Sequence, residues 1–188
     1  MPKLGRPVLV VLCSCAVAAP LWAVDLGVTV GYGNVSKSSL EGTAAGGFAA
    51  CVDAGIPLGP IFAFTTSGGL WLHSENLSGF SYSLTIITPG VGIKAYALPE
   101  DALVRPYGGA NVGVNLTTAK VSIAGYGGDS ETYTNIGANA LAGASYKAAP
   151  KIRVPLEVSY GMIFGLGPEG NKITPSVFTV RAGIAMQF

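Results

Sequence analysis

The chain ends on Val177, Phe178, Thr179, Val180, Arg181, Ala182, Gly183, Ile184, Ala185, Met186, Gln187 and Phe188. Counting back in twos from the last residue gives Phe188, Met186, Ile184, Ala182, Val180 and Phe178, all apolar. The intervening Gln187, Ala185, Gly183, Arg181, Thr179 and Val177 are mostly small or polar. A period of two belongs to a strand with one face in apolar surroundings and the other in polar ones. Few soluble domains finish on an aromatic in phase with the apolar face. The segment therefore reads as a closing strand, and its partners must lie upstream.

They are expected at 24–35, 44–56, 61–72, 80–98, 103–118, 131–147 and 152–164, with 174–188 as the eighth. In the first, Val24, Leu26, Val28, Val30 and Tyr32 share one face and Asp25, Gly27, Thr29, Gly31 and Gly33 the other. The fifth alternates most regularly, with Val104, Ala110, Val112, Val114 and Leu116 against Arg105, Tyr107, Gly109, Asn111, Gly113, Asn115 and Thr117. Strand four changes phase: Phe80, Tyr82, Leu84 and Ile86 are apolar at even positions, then Ile87, Val91, Ile93, Ala95 and Ala97 at odd ones. A one-residue slip turns a strand inside out, so a β-bulge is expected near Ile86 and Ile87. Tight turns are expected after strands two, four and six, where Pro57-Leu58-Gly59-Pro60, Pro99-Glu100-Asp101 and Ala148-Ala149-Pro150 stand. Longer connections, including 73–79 and 120–130, are expected after the odd strands.

Composition agrees with such a design. Charged residues make up 11% of the 188, and hydrophobic residues 49%. A typical soluble domain carries roughly 25% charged residues. A net charge of +1 gives no electrostatic footprint for nucleic acid. The first residues read as a secretory leader, 1–23: Lys3 and Arg6, an apolar stretch 8–19, then Leu21-Trp22-Ala23 as a cleavage site. A lipobox-like Leu12-Cys13-Ser14-Cys15 is the alternative within it. Downstream of the leader no run of about 20 apolar residues offers a spanning helix, and only Cys51 remains of the three cysteines, so it can form no internal disulfide.

The alternating terminal segment with its final Phe188 resembles the C-terminal strand of bacterial outer-membrane β-barrels. Arg105-Pro106-Tyr107-Gly108-Gly109-Ala110-Asn111-Val112-Gly113 resembles the Pro-Tyr-Gly-rich strand of OmpA/OmpX-like barrels, a porin-like group. The resemblance covers 24–188 and implies an all-β, eight-stranded, antiparallel up-and-down transmembrane barrel in the outer membrane of a diderm bacterium. It implies short turns and both termini on the periplasmic side. It also implies that Phe178, Val180, Ile184, Met186 and Phe188 form a signal for the barrel-assembly machinery and periplasmic chaperones, with outer-membrane lipid as the surrounding partner.

Alternation alone also fits a soluble barrel with its apolar face inward. The polar face argues against that, because a soluble surface needs roughly 25–35% charged residues and this face is mostly Gly, Asn, Ser and Thr. With that face inward, the lumen candidates are Asp25, Asp53, Lys94, Arg105, Asn111, Asn115, Lys147, Arg153, Glu157 and Arg181. Lys94 and Arg105 are expected nearly opposite each other across the 99–101 turn, with Glu157, Asp53 and Asp25 as counter-ions. The bland reading is an ionic plug and the sharper one a polar constriction that selects solutes. Abundant inward glycine could leave space.

No His/Cys cluster suggests a metal and no motif suggests a cofactor. The single His73, followed by Ser74 and Glu75, has the parts of a hydrolase, but neighbours on a strand point to opposite faces. Three functions follow: a porin-like permeability protein for small or hydrophobic solutes, a non-conducting structural or adhesive protein meeting host surface molecules through 120–131, and a lipid A-modifying enzyme. No catalytic residue is assigned.

Overall fold

The computed structural model describes residues 25–36, 45–77, 79–123, 127–166 and 173–188. The expected leader lies outside the described residues, as do most of the first and last long connections. The described chain is a closed antiparallel barrel whose eight strands pair in sequence order, β1 closing on β8. They are β1 (Asp25–Ser36), β2 (Ala45–Pro57), β3 (Phe62–Leu77), β4 (Phe80–Tyr96), β5 (Val104–Ile123), β6 (Gly127–Ala149), β7 (Ile152–Phe164) and β8 (Ser176–Gln187). The eight-stranded reading holds, and so do the faces assigned by alternation outside the loop-end half of β4.

The period of two separates the faces along each wall. In β7, Val154, Leu156, Val158, Tyr160 and Met162 are exposed on the outside, while Arg153, Glu157, Ser159 and Ile163 are buried inside. In β8, Phe178, Val180, Ile184, Met186 and Phe188 are exposed outward and Thr179 and Arg181 are buried. This polarity inverts that of a soluble domain. It stabilises the chain only where the outer surface meets hydrocarbon. Tyr32, Tyr146 and Phe188 stand outward near the two ends, where interfacial aromatics belong.

Two expectations are corrected. The β-bulge near Ile86 and Ile87 is absent. Ile87 pairs with Leu70 and Leu116, and the register on both sides is unchanged from Phe80 to Ala95. The β4–β5 ladder lapses at Thr88 and Pro89, proline having no N–H to give, and resumes in the same register at Gly90↔Gly113. The hydrophobic phase changes without the backbone slipping, because the even face stays inward while the lumen itself becomes apolar. The recorded register shift lies between Lys147 and Ala149.

The long connections at 73–79 and 120–130 are also corrected. Residues 73–77 continue β3, which turns at once into β4 with Leu77 opposite Phe80. Residues 120–123 and 127–130 continue β5 and β6, with Ile123 opposite Gly127. Ser, Asn, Asp and Gly lowered the strand signal there, but ladder pairing to a neighbour holds such residues extended.

Candidate functional site

The lumen is filled in layers, and β4 and β7 show the same order. From the turn end to the loop end, β7 presents Arg153, Glu157, Ser159, Gly161 and Ile163 inward; from the loop end to the turn end, β4 presents Ile86, Thr88, Gly90, Gly92 and Lys94. Charged side chains thus gather at the turn end, small polar ones in the middle and apolar ones at the loop end.

At the turn end Lys94 is the bridge. Its Nζ lies 3.1 Å from Asp53 Oδ2 on β2 and 3.8 Å from Glu157 Oε2 on β7. Glu157 also accepts from Arg181 on the adjacent strand and from the Tyr107 hydroxyl at 3.2 Å. Two cations and two carboxylates make a neutral network. Such a network offsets its desolvation only when its members are mutually hydrogen-bonded. Below it, Arg105 donates to the carbonyls of Leu98 and Pro60, each at 3.0 Å, and its guanidinium lies 3.6 Å from the centroid of the Tyr96 ring. Arg153 donates to the carbonyls of Glu100 and Ala102. These two arginines tie the turns to the barrel floor.

The expected Lys94–Arg105 juxtaposition is not found. Lys94 pairs with Gly109, and Arg105 with Ser145. The hairpin begins later than the turn residues suggest, so the two cations reach different heights. Asp25 faces inward at the floor but joins no ion pair among the described residues, and neither does Lys147 beside the register shift. Asn115 is buried and accepts from Thr88 Oγ1 at 2.7 Å; Asn111 faces the central cavity.

At the loop end Val35, Ala49, Trp71, Ile86 and Ile163 form an apolar cluster, joined by Leu84, Leu166 and Val177. The sequence reading did not assign this layer. Its signal was present, since Trp71 shares the parity of Thr65, Ser67 and Gly69. The inward glycines do not leave the lumen empty. A Cβ on Gly47 would lie 2.8 Å from the Trp71 ring, and one on Gly143 would lie 2.8 Å from the Tyr107 ring. The space belongs to the large side chains across the ladder.

Above the apolar layer the wall divides. Pairing of β2 with β3 stops at Phe48↔Leu72, and pairing of β6 with β7 at Ile136↔Phe164. Beyond these points β3, β4, β5 and β6 continue as a four-stranded sheet whose two edges pair with no other strand among the described residues. A side chain holds each fork. His73 Nδ1 donates to the Gly46 carbonyl at 2.6 Å, and Asn135 Nδ2 donates to the carbonyls of Phe164 and Gly165 at 3.2 and 2.7 Å. His73 also stacks on Trp71, with centroids 5.9 Å apart, and its Nε2 lies 3.9 Å from Glu75. Ser74 is exposed on the opposite face. Higher on the sheet Tyr133 donates to Glu131, a hydrogen bond that lifts the exposed phenol above its usual pKa.

The family model described as an outer membrane protein β-barrel domain matches residues 8–185. Among solved structures the chain is similar to Neisserial surface protein A, with 22% identity and a TM-score of 0.64 over 87% of this chain and 96% of that one. It is similar to Ail, the attachment invasion locus protein of Yersinia pestis, with 14% identity and a TM-score of 0.55 over 87% of this chain and 99% of that one. It is also similar to the outer membrane protein OprG from Pseudomonas aeruginosa, with 14% identity and a TM-score of 0.53 over 88% and 96%. At these identities the likeness shows the fold. No curated protein sequence matches the chain.

Proposed function

The chain belongs to the family of outer membrane protein β-barrel domains, and from that premise we propose that this outer-membrane protein is non-conducting and works at the cell surface, through the sheet that β3–β6 raise beyond the rest of the wall. The observation that carries this reading is the lumen's filling. Lys94 crosses it to Asp53 and Glu157, and Trp71, Ile86 and Ile163 occupy it higher up. An eight-stranded interior is just wide enough for its own side chains, and here they are large where the wall glycines are small. Permeation of small solutes is less well supported by this geometry than surface contact. The lipid-modifying reading is weaker still, since His73 is engaged by Gly46 and Glu75 while Ser74 points away.

The raised sheet has the properties of a contact surface. Its β6 edge, residues 127–135, pairs with no β7 residue among the described residues, and its outer backbone donors and acceptors are the proposed contact for an extended segment of a partner. Asp129 and Glu131 are exposed there and favour a basic partner over a second acidic edge. Host surface molecules are the proposed partner class, met through a β-hairpin rather than the loop that residues 120–131 suggested.

Planar-bilayer recording of the refolded mature chain, with folding verified by heat-modifiable gel mobility, tests the reading. A folded barrel without discrete openings supports it. Discrete openings overturn it and restore the permeability function. Cell binding that survives replacement of residues 120–130 by a two-residue turn removes the role given to the hairpin. Phe178, Val180, Ile184, Met186 and Phe188 are proposed as the assembly signal. Deleting Phe188 is expected to lower the amount of folded barrel in the outer membrane while leaving refolding in detergent intact.

A further inference from the structure

Between the ionic and apolar layers lies a cavity of about 100 Å³. Its wall mixes polar and apolar side chains. Thr88, Asn111, Asn139, Ser159 and Thr179 line it, with Arg181 at the turn side and Trp71, Ile86 and Ile163 at the loop side. Two of its buried polar atoms, Arg181 Nε and Asn139 Oδ1, have no hydrogen-bond partner among the described residues. Arg181 is 9% exposed, and its Nη2 is engaged by Glu157 while Nε remains free. Buried polar atoms are satisfied by protein or by water, and one water needs roughly 10–15 Å³ of such space. The cavity therefore has room for several waters and both a donor and an acceptor to hold them.

We propose that this cavity is a water-filled chamber, a solvated segment of a transmembrane path that two independent layers hold shut. The proposal rests on the closed-lumen reading and deepens it. The two seals differ in kind. The apolar layer excludes ions because an apolar constriction dewets. The ionic layer excludes them because Lys94 physically spans from β4 to β2 and β7, filling the lumen with paired charge. Neither seal contains the other's residues, and between them the wall already carries Thr88, Asn111, Asn139, Ser159 and Thr179. Removing one seal connects the chamber to one side only; removing both connects the two sides.

Cys51 supplies the reporter, because it lines this chamber and is 8% exposed. The experiment uses the full mature barrel in vesicles and a membrane-impermeant methanethiosulfonate reagent added from one side. Wild-type Cys51 is expected to stay unlabelled from both sides. The Trp71→Ala, Ile86→Ala pair opens the loop side, and the charge-balanced Lys94→Ala, Asp53→Ala pair opens the turn side. Each is expected to raise labelling from its own side by at least about tenfold without giving conductance, and the four changes together to give discrete openings. A four-fold variant that keeps its heat-modifiable folded band yet neither conducts nor labels overturns the chamber. Conductance from a single-layer variant overturns the independence of the seals. Conductance from the wild type overturns the closed-lumen reading itself, which separates the two failures. Should the paired changes prevent folding, Ile86→Ala alone and the charge-balanced Lys94→Met, Asp53→Asn pair give the same side-specific labelling test.

Discussion

The two halves of the interior close the same tube with opposite chemistry. At the turn end, closure is by four charges whose positions are set by directed contacts: Lys94 to Asp53 and Glu157, and Glu157 to Arg181 and Tyr107. At the loop end it is by volume, with Trp71, Ile86 and Ile163 buried against one another and seated over glycines. The first kind fails when one partner is lost, since the others remain charged and out of water. The second fails by degrees, as space opens. The same difference separates what can be exchanged: a charge pair as a pair, an apolar residue for another of similar size.

The comparison can be broken most directly at Glu157. Glu157→Gln strands Arg181, leaves Lys94 with Asp53 alone, and is expected to destabilise the folded barrel by about 3–5 kcal/mol, read from urea unfolding in lipid vesicles. A loss below about 1 kcal/mol would mean that water already screens the ionic layer. Trp71→Ala comes next, at about 3–4 kcal/mol, the cost of a large buried ring and the cavity left behind. Trp71→Phe should restore most of it, whereas no uncharged residue of similar size restores Glu157. A smaller effect belongs to the forks above both layers. Asn135→Ala removes two hydrogen bonds to β7 carbonyls and is expected to cost about 1 kcal/mol, with faster amide exchange confined to residues 127–135. Lys147→Ala sharpens the contrast from the other side. Lys147 shares the inward register of the ionic layer but joins no ion pair among the described residues, so the change should stay within about 0.5 kcal/mol.

Much of this was legible in the chain, and the misses have a common cause. Alternation gave the strand count, the lipid face and the inward residues, because a strand's two faces are a local property. β4 was misread by the same rule. Its apolar residues change parity at Ile86 and Ile87, and a slip was the cheapest local explanation. The register is instead held by sixteen cross-strand pairs with β3, Phe62↔Ala95 through Leu77↔Phe80, and the apolar even positions point into a layer built with residues of β1, β2, β3, β7 and β8. Residues 120–130 were misread for a related reason. Nothing local in Lys120, Ser122, Gly128 or Ser130 demands a strand, but β4 and β6 supply hydrogen-bond partners for β5 as far as Ile123.

The sequence by itself determined an outer-membrane barrel of eight strands and, outside β4, which face of each meets lipid. Period and phase are carried by each strand alone, and the terminal Phe188 lies on the lipid face whatever the others do. Only the tertiary structure decided which charge meets which, where the wall ends and the raised sheet begins, and that the lumen is closed in two layers with a polar space between. Those outcomes depend on the height at which residues from strands distant in sequence arrive inside the barrel, as Lys94 arrives beside Glu157 while Arg105 falls to the floor. That height is set by closure and strand tilt, which no single strand encodes.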